Sequence, residues 1–567
     1  MPHRRHPLQP TRLPATRLAP ARLVLGLASL CSALLSGCGG GSGNTASTTS
    51  PPTTTPTAVV PTPSVTPTPT VTPTPAPAPS PATTSVNTCV PGSGHDYQVG
   101  PDSGQLATLA QVPWESLSAG DTVRIFYSAT PYRGHILLAA QGTANAPVRV
   151  CGVKGSNGER PIIDGANAVA RPGLSYTSAS YGHIQESRAV VMIDRLGTQD
   201  WGTAHPQYVQ IDGLEIRGAN PSNTFTNSTG AVQAYEAFGG CIWVERGHHV
   251  TIADNVVHDC TNGIFSRSTD DGDFAVTKDL RIASNYIYGN GVSGDDHEHN
   301  SYVQSVGVVY EFNHYGPLRS GALGGALKDR SVGPVIRYNR IEEGSRALDL
   351  VEAEDYPVTA TADPAYRSTY VYGNQIVKSG DTGSLIHYGG DHFGSTPGSM
   401  WGEPIFRKGT LYFFNNTVYA TGSNAAIFQI STTEETVEAW NNVFVFANTV
   451  ADAKLRMGWQ DVNTAYWTPN GIVHLGRNWI NSRWVDTDVN HPLQGAVTGQ
   501  ANLLTGSTAP VNLSTLRPLA GSVIIDAAQA NVSGAAGYAV DHQLDASFNA
   551  AARPVNGAAL DLGALEY

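Results

Sequence analysis

Val250-Thr-Ile-Ala-Asp-Asn255-Val-Val257 returns, with substitutions, as Leu280-Arg-Ile-Ala-Ser-Asn285-Tyr-Ile287 and Val335-Ile-Arg-Tyr-Asn339-Arg-Ile341. It returns again as Tyr370-Val-Tyr-Gly-Asn374-Gln-Ile376 and Leu411-Tyr-Phe-Phe-Asn-Asn416-Thr-Val418. Each copy reads apolar, two residues, Asn, one residue, apolar. Asn313, Asn442 and Asn478 fit with small changes, and Leu214 holds the same place in Ile211-Asp-Gly-Leu214-Glu-Ile216. From Leu214 to Asn478 the successive spacings are 41, 30, 28, 26, 35, 42, 26 and 36. A fixed motif with a variable remainder means one structural rung per repeat, with loops of different length inserted between strands. Short strands with one apolar face then stack into a solenoid. Asn at a recurrent turn tolerates left-handed backbone angles and can hydrogen-bond its stacked neighbours. A β-sandwich would show hairpin signals instead.

Outward from these rungs, Gly120-Asp-Thr-Val123, Gly142-Thr143, Pro147-Val148 and Ile163-Asp-Gly165 precede them, and Arg553-Pro554 and Asp561-Leu-Gly-Ala-Leu-Glu566 close the chain. With these segments, residues 95–567 resemble the right-handed parallel β-helix superfamily of carbohydrate-active proteins, pectate lyase-like in the broad sense. The resemblance implies an all-β, right-handed parallel β-helix. It leaves function open, because that fold hosts lyases, hydrolases, epimerases and adhesins. Pectin hydrolases of the fold carry an Arg-Ile-Lys near the site, which this sequence lacks. The resemblance also implies Ca²⁺ as a candidate cofactor.

The chain has 567 residues, 34 of them basic and 46 acidic, for a net charge of −12. Arg4, Arg5, Arg12, Arg17 and Arg22 lie in the first 37 residues, which hold no acid. The remainder is therefore strongly acidic, which argues against a nucleic-acid partner. The basic start leads into an apolar run over residues 23–35, too short for a stable membrane span and fitting a signal peptide. It ends Leu35-Ser36-Gly37-Cys38, which resembles a bacterial lipobox and makes Cys38 the lipidation site. The expected organisation is a signal peptide over 1–37, a lipidated Cys with a Pro/Thr-rich linker over 38–88, and a β-helix over 89–567. Gly39 after the Cys implies the outer membrane of the cell envelope, reached by a lipid anchor. Residues 39–88 contain no charged residue and favour an extended tether. Beyond residue 38, four cysteines remain in an oxidising compartment: Cys89, Cys151, Cys241 and Cys260. They suggest two disulfides with three possible pairings, of which Cys89–Cys151 and Cys241–Cys260 is the local choice.

A strand follows each Asn turn, and aligning these strands by apolar alternation gives an inward column. It reads Ile242, Ile264, Asn300, Leu327, Leu348, Leu385, Ile427. The next column should face outward: Trp243, Phe265, Ser301, Lys328, Asp349, Ile386, Phe428. Two places further come Glu245, Arg267, Val303, Arg330, Val351, Tyr388 and Ile430. Neighbouring rungs lie about 4.8 Å apart, so His299, Ser301, Lys328, Arg330 and Asp349 should share one patch, bordered by Tyr388. His297 and Arg346 flank it, and Trp243 offers a ring for sugar stacking. Lone readings of these residues are bland: His297 and His299, two residues apart, could bind a metal only with further ligands, and Lys328 with Asp349 could be a surface pair worth about 0–1 kcal/mol. Their clustering in mid-solenoid marks a candidate site. The run Asp270-Asp-Gly-Asp273 reads as a turn.

For a lyase on a uronic-acid polymer, the expected roles are Lys328 as base, Arg330 as carboxylate clamp and His299 as acid or second base. Ser301, Asp349, Arg346, Tyr388, Trp243 and His297 would contact substrate. Asp349 beside Lys328 would raise the Lys pKa and oppose the base role. The expected partner is an acidic polysaccharide, bound by a monomer. A C5-epimerase, a glycoside hydrolase and a non-catalytic glycan-binding or adhesin lipoprotein are the alternatives.

Overall fold

The computed structural model describes residues 88–177, 185–379, 384–392, 400, 402–423, 425–450, 453–457, 471–486 and 495–567. The proposed signal peptide, Cys38 and almost all of the linker lie outside them. Among the described residues no helix is long and apolar enough to cross a membrane.

The described chain winds into three long parallel sheets of 13, 11 and 11 strands. Each interior coil contributes one strand to each sheet. His248–Ala253 belongs to the first sheet, Val256–His258 to the second and Asn262–Ser266 to the third. The next coil repeats this with Lys278–Ala283, Tyr286–Tyr288 and Ser301–Val303. Two strands thus follow each Asn turn, where the sequence suggested one. This is the right-handed parallel β-helix, in the hand that parallel crossovers adopt. Its interior is one continuous apolar core that includes Val99, Ile252, Ile282, Ile336 and Ile480.

The Asn motif forms a ladder at the corner between the first and second sheets. The side-chain amides of Asn255, Asn285, Asn313, Asn339, Asn374, Asn416 and Asn442 each donate to the carbonyl of the next, ending on Asn478, at 2.9–3.2 Å. That same carbonyl accepts the backbone N–H of the preceding Asn. Leu214 starts the column, its N–H donating to Asn255 Oδ1 at 3.1 Å. One expectation needs correction. The left-handed residue is the one before the ladder Asn: Asp254, Ser284, Phe312, Tyr338, Asn415 and Asn441 all have φ between 49° and 57°. The ladder Asn stays outside that region so that its amide can turn inward, where buried backbone carbonyls need a donor.

The C-terminal segment packs back over the first sheet. Tyr538 stacks on Tyr370 with ring centres 3.6 Å apart, and the Tyr338 hydroxyl donates to Asp541 at 3.0 Å. The disulfides are Cys89–Cys151 and Cys241–Cys260. The first ties the start of the described chain to the first sheet; the second links strand Gly240–Val244 to the turn before Asn262–Ser266 on the next coil.

Asn339 sits mid-ladder and also donates to the carbonyls of Tyr310 and Arg337. Asn339→Ala should cost about 2–3 kcal/mol, because it leaves several buried groups unpaired. Asn478→Ala, at the ladder's end, should cost less. Urea denaturation of the two variants checks this, and equal losses would contradict a cooperative ladder.

Candidate functional site

Strand register decides which side chains leave the third sheet. Trp243 pairs with Phe265, Phe265 with Tyr302, Tyr302 with Lys328, Lys328 with Asp349, Asp349 with His387 and His387 with Gln429. This is the outward column. It agrees with the sequence reading at Trp243, Phe265, Lys328 and Asp349 and departs from it through two one-residue slips, one at Ser301 and one that runs through Ile386 and Phe428. Ser301 pairs with Ile264 and Leu327 and so points inward, its hydroxyl toward Tyr315 at 3.3 Å. Tyr388 pairs with Leu350 and Ile430 and is also inward. A one-residue slip moves a side chain to the opposite face. Both slips follow insertions of irregular length, and at Leu385-Ile386 two adjacent apolar residues leave the phase undetermined. The residues missed in this column were Tyr302, His387 and Gln429. Phe428 likewise turns inward, paired with Ile386.

The structure brings Lys328, Asp349, Arg346 and Arg330 together and adds His387 and Asp391. The Lys328 ammonium lies 3.2 Å from Asp349 Oδ2 and 2.7 Å from Asp391 Oδ2. Asp349 Oδ1 accepts from Arg346 at 2.9 Å and lies 2.7 Å from His387 Nδ1. Burial alone would raise the Asp349 pKa, but Arg346, Lys328 and His387 outweigh it and hold it well below the usual range. Burial would lower the Lys328 pKa, but Asp349 and Asp391 reverse this and raise it. Lys328 is therefore a fixed ammonium, and the expected role as base is opposed by its own partners.

Arg330 is 2% exposed, and its donors are committed. Its Nε donates to the Tyr302 hydroxyl at 2.9 Å and its Nη1 to the Glu352 carbonyl at 2.7 Å, while Nη2 lies 3.2 Å from Asp391. It braces Glu352, Glu354 and Asp391 and has no free edge with which to clamp a substrate carboxylate.

His299 is buried, and burial together with Lys328 pushes its pKa down to about 3. Its Nδ1 accepts the Gly325 N–H at 2.8 Å, so the neutral ring carries its proton on Nε2, which has no partner. Gly324 is required here, because a Cβ would lie 1.8 Å from the Glu298 carbonyl beside this ring. His297 is 77% exposed and pairs with Asp295 and Asp296, so it shares no site with His299. Trp243 faces outward but is buried, stacked on Phe265 at 3.9 Å and donating to Glu245 at 2.8 Å. It is closed to a sugar ring.

His387 is buried, with a pKa lowered by burial and by Arg346. Its Nδ1–H donates to Asp349, leaving the lone pair on Nε2, 3.2 Å from Ser431 Oγ. That hydroxyl gives its proton to the nearer Gly390 carbonyl at 2.7 Å. A carboxylate-oriented neutral imidazole beside an ammonium is equipped to take a proton next to a negatively charged group.

His392 Nδ1 sits within 2.7–3.2 Å of Glu352, Glu354 and Asp391. Glu352, Asp391 and His392 are the group here that could hold a metal ion. The fit to Ca²⁺ is poor. Glu352 already accepts the backbone N–H groups of Asp391 and His392, and Asp391 is engaged by Lys328 and Arg330. Ca²⁺ takes six to eight oxygens free to coordinate. The acidic run before the site is likewise used internally: Asp270 accepts the N–H groups of Val358 and Thr359, and Asp273 pairs with Lys278.

No protein-family model matches the chain, and no curated protein matches it. Among solved structures it is similar to an alginate lyase from Paenibacillus sp. str. FPU-7, at 14% identity and a TM-score of 0.30, over 69% of this chain and 94% of that one. It is similar to a mutant tailspike protein of E. coli bacteriophage HK620 in complex with a pentasaccharide, at 12% identity and a TM-score of 0.40, over 68% and 59%. It is also similar to a GH136 lacto-N-biosidase from Eubacterium ramulus, at 11% identity and a TM-score of 0.34, over 72% and 68%. Likeness at this level concerns the fold alone.

The His392 pKa is pushed up to about 10, since its contacts with Asp391 and Glu352 outweigh burial. Its folded value lies above the ordinary 6.5, so its stabilisation is complete below pH 6.5 and is lost as pH rises through about 10. Unfolding midpoints should fall across that window, and His392→Gln should flatten the fall. An unchanged slope in the variant would contradict the pairing.

Proposed function

We propose that the chain is a carbohydrate-active enzyme, a polysaccharide lyase that cleaves a uronic-acid polymer by β-elimination at the Lys328–Asp349–His387 cluster. One observation carries the reading: a single buried carboxylate, Asp349, holds an ammonium on one side and a neutral imidazole on the other. β-Elimination needs that pair, a cation for the uronate carboxylate and a base for the C5 proton. The Asp391 carboxylate, 2.7 Å from Lys328, marks the seat that the substrate carboxylate takes on entry. Lys328 then stabilises the charge that spreads onto that group as the C5–H bond breaks. His387 Nε2 receives the proton. The electron pair forms the C4–C5 double bond, the bond from C4 to its oxygen breaks, and the imidazolium returns the proton to the departing oxygen. His299 Nε2–H supplies a hydrogen bond to the substrate from the neighbouring coil. No step runs through Ca²⁺.

Lipid anchoring at Cys38 and an outer-membrane location belong to the same reading, because they would place the enzyme against extracellular polymer. Cys38→Ala should move the protein from the membrane fraction to the soluble fraction; retention in the membrane would count against the lipobox.

Alginate, polygalacturonate and hyaluronan, each followed for the ultraviolet absorbance of new double bonds, test the activity. Lys328→Met and His387→Gln should each lower turnover about 10²–10⁴-fold. Because the His387 pKa is lowered from 6.5, the wild-type rate should hold through pH 6.5 and fall only on further acidification. Inverted sugars in intact chains would indicate an epimerase, and tight retention without turnover would indicate a binding protein.

A further inference from the structure

A polar cleft opens on the same outward side as Lys328, nearer the N-terminal end of the solenoid. It is a shallow cleft whose enclosed part is about 40 Å³, and it is lined by Gln185, Asp194, Trp201, Glu245, Arg246 and Arg267, among others. Its floor follows from register. Ile193 pairs with Val244, so the residues after them, Asp194 and Glu245, lie side by side on adjacent coils. Glu245 is fixed by the Trp243 indole N–H at 2.8 Å and by Arg267 at 2.7 Å. Asp194 is fixed by the Thr177 hydroxyl and the Arg195 N–H, both at 2.7 Å.

Three groups at the cleft are only partly used within the fold. Trp201 is 52% exposed, a large ring left in water. It is nonetheless held in place: its edge meets Phe274 at 5.1 Å, and Arg246 donates to its carbonyl at 2.9 Å. Gln185 is 2% exposed, yet its Oε1 has no partner. The buried Nε of Arg246 also lacks a hydrogen bond, lying 3.5 Å from Asp194 Oδ1. A buried acceptor without a partner is costly unless something else satisfies it. An exposed, rigid aromatic face beside one buried acceptor and one buried donor suits a pyranose ring, whose C–H face is apolar and whose edge offers hydroxyls.

We infer that the Trp201–Gln185 cleft is a remote binding subsite for one sugar residue of the polymer whose reacting residue lies at Lys328. This rests on the proposed activity for the identity of the polymer. Glu245 and Arg330 both stand two residues beyond the outward column, three coils apart, which is about 14 Å along the solenoid. A chain seated in both places therefore spans several sugar residues. Binding there holds the polymer without touching the chemistry, so it acts on affinity and length preference and not on the maximal rate.

The test uses the full chain with graded-length oligomers of alginate and of polygalacturonate. Affinity is read by calorimetry and by quenching of tryptophan fluorescence, beside turnover. Trp201→Ala should weaken the longer oligomers about tenfold while leaving short ones and the rate at saturation unchanged. Trp201→Phe should restore most of the loss, and Gln185→Met, which removes the buried acceptor without adding a charge, should reproduce it. Equal losses at every length, no loss at any length, or no oligomer binding at all would overturn the subsite. Absence of new double bonds with a persisting length-dependent Trp201 effect would sink the lyase reading and leave the subsite standing.

Discussion

The asparagine ladder is the constraint on which the other features depend. Each coil must bring one amide to the same corner, so the distance between corners is fixed in space while the number of residues between them is not. Coil lengths from 26 to 42 residues are accommodated because the excess leaves the sheets as loops. With the corner fixed, strands of successive coils pair at a constant spacing, and side chains far apart in sequence become neighbours. Lys328, Asp349 and His387 meet for this reason alone.

Their meeting has an energetic cost that the fold does not require. Lys328, Arg330, Asp349, Glu352 and Asp391 are all largely withdrawn from water on one face. An apolar column would fill the same space without the desolvation penalty of buried ions. Elsewhere along the column the chain uses Trp243 and Phe265, so apolar side chains are compatible with the geometry. Concentrating charge in the middle is better explained by chemistry than by stability. A different logic applies at Asp329, which points inward and pairs with the equally buried Arg407 at 2.9 Å. That pair fastens the segment before Thr410–Phe414 to the core and has no access to the outward face.

The repeated Asn motif made the solenoid and its stacked asparagines legible in the sequence, and the local pairing of the four cysteines is the one the structure has. Strand phase was legible where a single polar residue sat between apolar ones, as at Leu348-Asp349-Leu350. It failed at Asn300-Ser301-Tyr302 because Asn300 belongs to the corner, where it accepts from Asn290, and not to the strand's alternation. It failed at Leu385-Ile386-His387 because a continuous apolar run has no phase. Asp391 and His392 arrive from a loop, and no periodicity could have placed them. Charge state was partly readable, since Lys328 next to Asp349 already argued against a neutral amine free to take a proton. Trp201 carried no signal of its own, and only its exposure beside Gln185 distinguishes it.

The central claim is that coils 38 residues apart place His387 against Asp349 and set its protonation. Magnetic-resonance titration of the labelled His387 imidazole measures this directly, in the wild type and in Asp349→Asn. The account predicts titration below 6.5 and a further downward shift in the variant, because Asp349 is the group that favours the charged ring. Titration at the ordinary value with no response to the substitution would contradict it.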